Sequence, residues 1–454
     1  MQNAFIAMSK VIKIRKGKDI SLVGAAEKTV AARTLSSSFA IKPTDFKTLV
    51  PKLAVKAGEE VKAGDVLFFD KTNSDIKFTA PVSGEVAEVV RGERRAIQEI
   101  RILADSEIQY KSFNIPSSLD KENVKSLLLE SGLWTYLVQR PYGVIADPSA
   151  EPKAIHISCF DSAPLGVDYN FSLSEDEAAF KQGIEALRVL TTGKVHLNVR
   201  ANDSNASMFT NVGGVEVTSF SGAHPAGLVG VQIHHIDPIN KGDVVWTINP
   251  QHVVFIGRLL SSGKVDLTQK VALVGSELSN PQYIQTIVGV NVESLFADNL
   301  KGENPRVISG NVLTGSNIGS NGYLGHFDHM ISAIPEGNHY EFMGWLFPSY
   351  ARPTVSNSLP ISKFLKKTFV ANTNPHGEER AFVMTGQYEK VLPMDVMPVQ
   401  LLKSILAEDL EAMENLGIYE VIEEDLALCE FVCTSKIDVQ KILKGGLELM
   451  ALES

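Results

Sequence analysis

Glycine and proline punctuation between residues 53 and 102 constrains this chain more than any other feature of it. Val55, Gly58, Val61, Gly64-Asp65 and Leu67 are followed by Ala80-Pro81, Gly84, Val86 and Val89. Each half reads as a strand, a glycine-centred turn and a second strand, because alternating apolar residues closed by turn formers favour short half-buried strands. Two such halves make a small barrel-sandwich hybrid. Residues 1–108 as a whole, rich in Val, Ile, Lys and Gly, read as all-β. Within them, residues 10–18 interleave Val11, Ile12 and Ile14 with Lys13 and Arg15. That is first an edge strand with a solvated face, and second a patch for anionic lipid.

Beyond residue 108 the periodicity lengthens to that of helices. Asp120 can cap a helix carrying Val124, Leu127 and Leu128, with Gly132 as its stop. Ala154 opens a short buried strand. Ser174 and Glu177 have capping-box spacing before a stripe of Phe180, Ile184, Leu187 and Leu190. A strand at residues 194–199 then completes a parallel strand–helix–strand unit, since parallel neighbours need a crossover. Residues 109–255 are thus a Rossmann-like α/β domain. Strand-like runs at 271–274, 283–290, 306–308 and 323–334 point to a β-grasp (SLBB-like) domain over 256–336. Residues 337–454 are mainly helical, with apolar stripes over 398–415, stopped by Gly417, and over 439–450. The fold class is therefore α+β, in four domains.

Composition excludes several functions. A chain of 454 residues, 44% apolar and 21% charged, builds ordinary cores. Its net charge of −10 opposes nucleic-acid binding, which needs a basic surface to displace counterions. Three cysteines make no disulfide framework and point to a reducing compartment. No run of about 18 apolar residues occurs, so no helix is expected to span a bilayer. The longest candidate, residues 253–260, contains Gly257 and Arg258. The start has no basic n-region, and Met8-Ser9-Lys10 makes a natural beginning, so either Met1 or Met8 can be the start.

Four places could carry chemistry. Asp70-Lys71, ahead of Ala80-Pro81, is similar to the modified hairpin of biotinyl/lipoyl carrier domains. The arm lengths, however, move the apex to Asn73-Ser74-Asp75. Residues 132–143 and Asp161-Ser162-Ala163-Pro164-Leu165-Gly166 lie where an α/β fold binds ligands. Trp134, Tyr136, Arg140 and Tyr142 stand there in place of a glycine cluster that would let amides approach phosphate. Cys429 and Cys433, with Cys159 far away in sequence, are too few for an iron–sulfur cluster and lack a histidine for zinc. His224, His234 and His235 lie in one glycine-rich stretch, and His326 and His329 flank Asp328. Strand alternation would split each of the two close pairs across opposite faces, which suits capping roles better than metal. Imidazole near neutral pH can also give a proton to a bound oxidant.

Several fragments in order carry a family resemblance. They are Lys13-Ile14-Arg15-Lys16-Gly17, Lys77-Phe78-Thr79-Ala80-Pro81 with Ser83-Gly84, Arg91-Gly92 with Arg94-Arg95, and Asp161-Ser162-Ala163-Pro164. Phe220-Ser221-Gly222-Ala223-His224-Pro225-Ala226-Gly227, His235-Ile236-Asp237-Pro238 and Ile334-Pro335-Glu336-Gly337 continue the series. Together they resemble the A-subunit family of the Na+-translocating NADH:quinone reductases. The family is similar in domain order to the flavin subunit of respiratory complex I, whose phosphate loop and cluster cysteines have no counterparts in residues 132–143, Asp161 to Gly166, or Cys429 with Cys433.

The resemblance implies a cofactor-free peripheral subunit on the cytoplasmic face of the bacterial inner membrane. FMN, FAD, riboflavin and iron–sulfur centres would then belong to partner subunits, chiefly membrane ones. NADH oxidation would drive Na+ outward while ubiquinone becomes ubiquinol. If quinone touches this chain, His224, His234 and His235 are the residues to examine. The rival readings are a lipoyl or acyl carrier modified at Lys71, and a β-grasp polysaccharide-binding module.

Overall fold

The computed structural model describes residues 11–31, 36–296, 299–338 and 368–453. The segment before Met8, and with it the choice of start, lies outside these residues. A four-stranded sheet (Ser38–Ile41, Ile97–Ala104, Gly84–Arg91, Glu60–Val61) faces a three-stranded one (Pro51–Leu53, Val66–Asp70, Lys77–Thr79). Leu67, Phe68, Phe78, Val86, Ile100 and Ile102 fill the space between, with Phe68 stacked on Phe78 at 4.4 Å. This is the barrel-sandwich hybrid that the punctuation predicts.

The first strands leave that barrel. Val11–Lys13 is an edge strand, as its alternation predicts, but of the α/β sheet, where it runs parallel to Glu216–Ser221. Glu27–Ala31 is the edge of the β-grasp sheet, beside Gln282–Ile287. Local pattern specifies a strand and not its partner, so only the tertiary pairing reveals this exchange.

The α/β domain is built on a seven-stranded sheet. Its strands Ala154–Ser158, Lys194–Arg200 and Glu216–Ser221 are parallel, with Ile155 opposite Val195 and Asn198 opposite Thr218. Asp120 caps the helix Lys121–Ser131 through the Asn123 amide, and Gly132 ends it at φ +79°. The crossover helix Glu177–Val189 buries Phe180, Ile184 and Leu187. Its expected capping box does not form: the Ser174 hydroxyl donates to Phe171 O at 2.9 Å, closing the preceding short helix. Asp176 is the N-cap instead, and its carboxylate is taken by Arg258 at 2.7 Å.

The helix Pro250–Ser262 runs through the 255/256 division and packs on the crossover helix. Here backbone meets backbone. A Cβ on Gly257 would sit 1.7 Å from Ala179 O, and one on Gly183 would sit 2.1 Å from Val253 O. The apolar run 253–260 is thus an interior helix, and Arg258 is bound at its margin. Among the described residues no helix is long and apolar enough to cross a membrane.

The β-grasp sheet places Thr268–Val274 parallel to Met330–Pro335 at its centre. The last strand begins at Met330, so His326 and His329 lie in the preceding loop and strand alternation does not govern them. The expected helix over 398–415 is two helices, Pro398–Leu406 and Leu410–Asn415. Glu408 turns at φ +56°, and the Asp409 side chain caps the second helix by accepting from Ala412 N–H at 3.0 Å. The helices Glu423–Val432 and Val439–Glu453 pack together beside them.

One buried ion cluster fastens these helices to the sheet. Arg140, on the strand Val138–Arg140, donates to Asp425 at 2.6 Å and to Glu424 at 2.7 Å. The guanidinium is 1% exposed and the Asp425 carboxylate 0%, so each needs the other. Removing one partner of a buried pair typically costs about 3–5 kcal/mol, because a bare charge stays behind. Arg140→Met should therefore cost about that much in denaturant unfolding. Combining it with Asp425→Leu should recover most of the loss. A double variant as unstable as the single one would refute this account of the cluster.

Candidate functional site

The carboxyl ends of the parallel strands, where an α/β fold takes ligands, are closed by their own loops. Asp161, just beyond the strand Ala154–Ser158, turns its carboxylate back to accept from Ala163 N–H at 2.7 Å and Val167 N–H at 3.3 Å. These are amides that a phosphate would otherwise want. Burial raises the Asp161 pKa against those hydrogen bonds. Arg200 lies 4.9 Å over the Phe160 ring and donates to Asp161 O at 3.1 Å.

The second loop crosses directly above. Gly227 N–H donates to Ser162 Oγ at 2.8 Å, and a Cβ on Gly227 would meet Ser162 N at 2.7 Å. Ser158 Oγ reaches Gly227 O at 2.8 Å, and Gln232 Nε2 donates to Ser158 Oγ at 2.9 Å and to Ala226 O at 3.1 Å. The two loops are thus bonded to each other and to the strand end beneath them. Residues 132–143 are not a phosphate loop: they form a 3-10 turn, Leu133–Tyr136, and the strand Val138–Arg140. Trp134 and Tyr136 are core residues, and Trp134 Nε1 donates to Ala146 O at 2.8 Å.

His224 stands at this edge, 2% exposed. Its backbone is gripped on both sides: its N–H donates to Asp19 Oδ1 at 2.9 Å, and its carbonyl accepts from Lys18 N–H at 2.7 Å. Its Nδ1 is 3.1 Å from Ser162 Oγ. Since Ser162 already accepts from Gly227, its hydroxyl proton is best placed on Nδ1, which leaves the histidine proton on Nε2. Burial, opposed by Asp19, lowers the His224 pKa to about 4, so the ring is neutral at neutral pH. Nε2 is buried with no hydrogen-bond partner among the described residues.

His234 and His235 go elsewhere. Residues 229–236 form a helix, not a strand, and a short apolar run such as this one fits either periodicity. The two rings are 5.2 Å apart at 78°. His234 accepts from Asp395 N–H at Nε2 (3.1 Å) and meets Glu420 at Nδ1 (2.6 Å), which ties it to the C-terminal helices. Burial lowers the His235 pKa.

Lys71 is not at the hairpin apex; the turn runs from Asn73 to Ile76, with Ser74 and Asp75 at its centre, and the Asn73 carbonyl accepts from Ile76 N–H at 3.1 Å. Cys159, Cys429 and Cys433 are buried, and Tyr388 donates to Cys433 Sγ at 2.9 Å. No group of three or more His, Cys, Asp or Glu among the described residues could hold a metal ion.

A polar cluster lies where three domains meet. Tyr136 stacks on His326 at 4.3 Å and lies 4.2 Å from His252, which is 4.8 Å from His329; Phe46 of the barrel is 4.8 Å from His326. Thr135 gives its proton to Gly132 O and so accepts from His326 Nε2 at 3.3 Å, while His329 Nδ1 donates to Gln269 Oε1 at 2.9 Å. A second pair, His156 and His196, stacks at 4.4 Å across neighbouring strands of the α/β sheet. The sequence gives no signal for His252, His156 or His196, each a lone histidine within an apolar or mixed run.

A Rossmann-like domain set between a barrel-sandwich and a β-grasp domain defines a class of multidomain α/β proteins by its architecture. Residues 12–105 match the family model of the NqrA N-terminal barrel-sandwich hybrid domain, 119–265 the NqrA second alpha/beta domain, and 270–319 the NQRA C-terminal domain. The Na(+)-translocating NADH-quinone reductase A-subunit of Serratia proteamaculans is 38% identical over 445 residues, covering 96% of this chain and 98% of the relative. That of Neisseria meningitidis serogroup B is 37% identical over 449 residues (98% and 100%), and that of Hahella chejuensis 39% over 444 residues (96% and 98%). The chain belongs to the A-subunit family of the Na+-translocating NADH-quinone reductases, the NqrA family. A solved NAD+-reducing NiFe hydrogenase covers 74% of this chain and 63% of its own at 14% identity, with a TM-score of 0.37, too loose a likeness for argument.

The buried histidines make stability depend on pH. Burial pushes His326 and His329 down to about 3 and His252 well below the ordinary 6.5. Below 6.5 the unfolded chain therefore binds protons that the folded chain refuses, and stability falls with pH. Asp45, raised to about 6 by burial, opposes this because its folded form holds a proton more readily. At pH 7, His326→Phe should cost about 1 kcal/mol for the lost Thr135 bond. By about pH 5 the variant should gain about 2 kcal/mol relative to the parent, since it no longer carries that proton linkage, and so become the more stable of the two by about 1 kcal/mol. Denaturant unfolding at both pH values measures this, and a deficit that stays constant would contradict it.

Proposed function

We propose that this chain is a cofactor-free peripheral subunit that presents the carboxyl edge of its α/β domain, with His224, to the quinone-reducing end of the pump. It works at the cytoplasmic face of the bacterial inner membrane, beside membrane subunits. The flavins and iron–sulfur centres that carry electrons from NADH belong to those partners. The observation that supports this most is the pairing of a filled phosphate edge with a buried, neutral Nε2–H that has no acceptor among the described residues. A carbonyl oxygen of ubiquinone is an acceptor of the right kind.

With its pKa lowered to about 4, His224 has little imidazolium to offer at neutral pH. Its part is therefore to hold and polarise a quinone carbonyl rather than to deliver the protons of ubiquinol. Ser162 and Asp19 act through it, fixing its tautomer and backbone. His234 is engaged by Glu420 and Asp395, and with its neighbour His235 it serves the seam with the C-terminal helices.

In the assembled complex, His224→Ala should raise the quinone KM about ten-fold, the worth of one hydrogen bond. NADH oxidation by an artificial acceptor should not change. Unaltered quinone kinetics and inhibitor sensitivity would remove His224 from the site. Stoichiometric FMN in the isolated chain would overturn the cofactor-free reading.

A further inference from the structure

A mixed cationic and apolar face runs along one ribbon beside the His224 edge. Residues 11–23 start as the open edge of the seven-stranded sheet, pass over His224 through the Lys18 amide, and reach Phe369 through a bridge at Leu22. Gly17 N–H also donates to Lys390 O at 3.2 Å, which brings the segment around residue 390 alongside. Lys13, Arg15, Lys16 and Lys390 are exposed and Lys18 half-buried. Five cations against Asp19, which accepts from the His224 amide, and Glu389, whose Oε2 is buried, leave the ribbon positive.

Large apolar side chains are exposed on the same two segments. Val11 is 61% exposed, Val23 43% and Val370, next to Phe369, 47%. An acidic protein surface would need the cations alone. Cations interleaved with projecting apolar side chains instead suit the headgroup region of a bilayer, where charge meets anionic lipid and the apolar groups enter the acyl boundary.

We propose that this face docks on anionic phospholipid. The rest of a chain with net charge −10 would be repelled by the same surface, which orients the molecule. The docking is independent of any partner subunit, so it can fail while membership of the complex stands, and the reverse.

The test is co-sedimentation of the isolated full chain with mixed phosphatidylglycerol–phosphatidylcholine vesicles against pure phosphatidylcholine. Binding is expected to the mixed vesicles alone. Each cation near the surface is worth about five-fold in partition, so Arg15→Glu, Lys16→Glu and Lys18→Glu together should lower it by about a hundred-fold or more. Val11→Ser with Val370→Ser should weaken the binding that survives added salt. Reversing Arg91, Arg94 and Arg95, exposed on the barrel hairpin, should do little. No binding to the mixed vesicles, or an equal loss from the hairpin reversal, would overturn the proposal. So would equal retention on polyglutamate beads with no effect of the Val11 and Val370 changes, which would assign the face to an acidic protein.

Discussion

A guanidinium with almost no access to water can exist only where carboxylates meet it, and Arg140 is such a group. Asp425 and Glu424 answer it from the start of the helix Glu423–Val432. The helix Val229–Ile236 is held between sheet and C-terminal helices: a Cβ on Gly230 would lie 2.3 Å from Asp425 Oδ1 and 2.5 Å from Arg140 Nη1. Once that helix is fixed, its last turn must face Glu420 and Asp395. His234 and His235 are thereby committed to the domain seam, and His224, ahead of the helix, is left alone at the strand ends.

The strand ends themselves illustrate how a ligand edge can be closed without loss of the fold. Parallel strands still terminate in loops with free amides, and those amides still need an acceptor. Asp161 supplies it from within the chain, and Gly227 lets the neighbouring loop come down onto Ser162. A fold that elsewhere holds a phosphate here holds its own carboxylate. Among the described residues His224 Nε2 has no hydrogen-bond partner at this edge, and neither do Gln232 Oε1 and the side-chain amide of Asn198.

Legibility in the sequence follows the range of the interaction. The Gly84 and Pro81 punctuation, the Asp120 cap and the Phe180, Ile184, Leu187 stripe act within a few residues, and their elements stand where the pattern puts them. The barrel hairpin also turns at Asn73, as its side chain requires. Failures arise where a distant group intervenes. Asp176 displaces Ser174 as helix cap, with Arg258, 82 residues on, holding its carboxylate. Residues 229–236 are ambiguous in period, and the C-terminal helices decide for helix. The pairing of Val11–Lys13 with the α/β sheet, and of Glu27–Ala31 with the β-grasp sheet, depends on partners more than 200 residues away in the sequence. At the site, His224 can be singled out by its glycine-rich setting, but Asp19, which anchors its backbone, cannot.

Those two exchanged strands also bear on what the scaffold can do. Each ties the N-terminal segment into a different sheet, so barrel, α/β and β-grasp domains share edges instead of merely touching. The buried Tyr136, His252 and His326 stack then fills the point where the three meet, with neutral rings whose charged forms burial forbids. A junction of interleaved strands and desolvated rings has no low-cost hinge, because opening it would expose apolar rings and break sheet pairing together. A neighbour that moves electrons or ions can lean on such a body without deforming it. Rigidity of this kind is what the architecture offers to the edge where His224 stands.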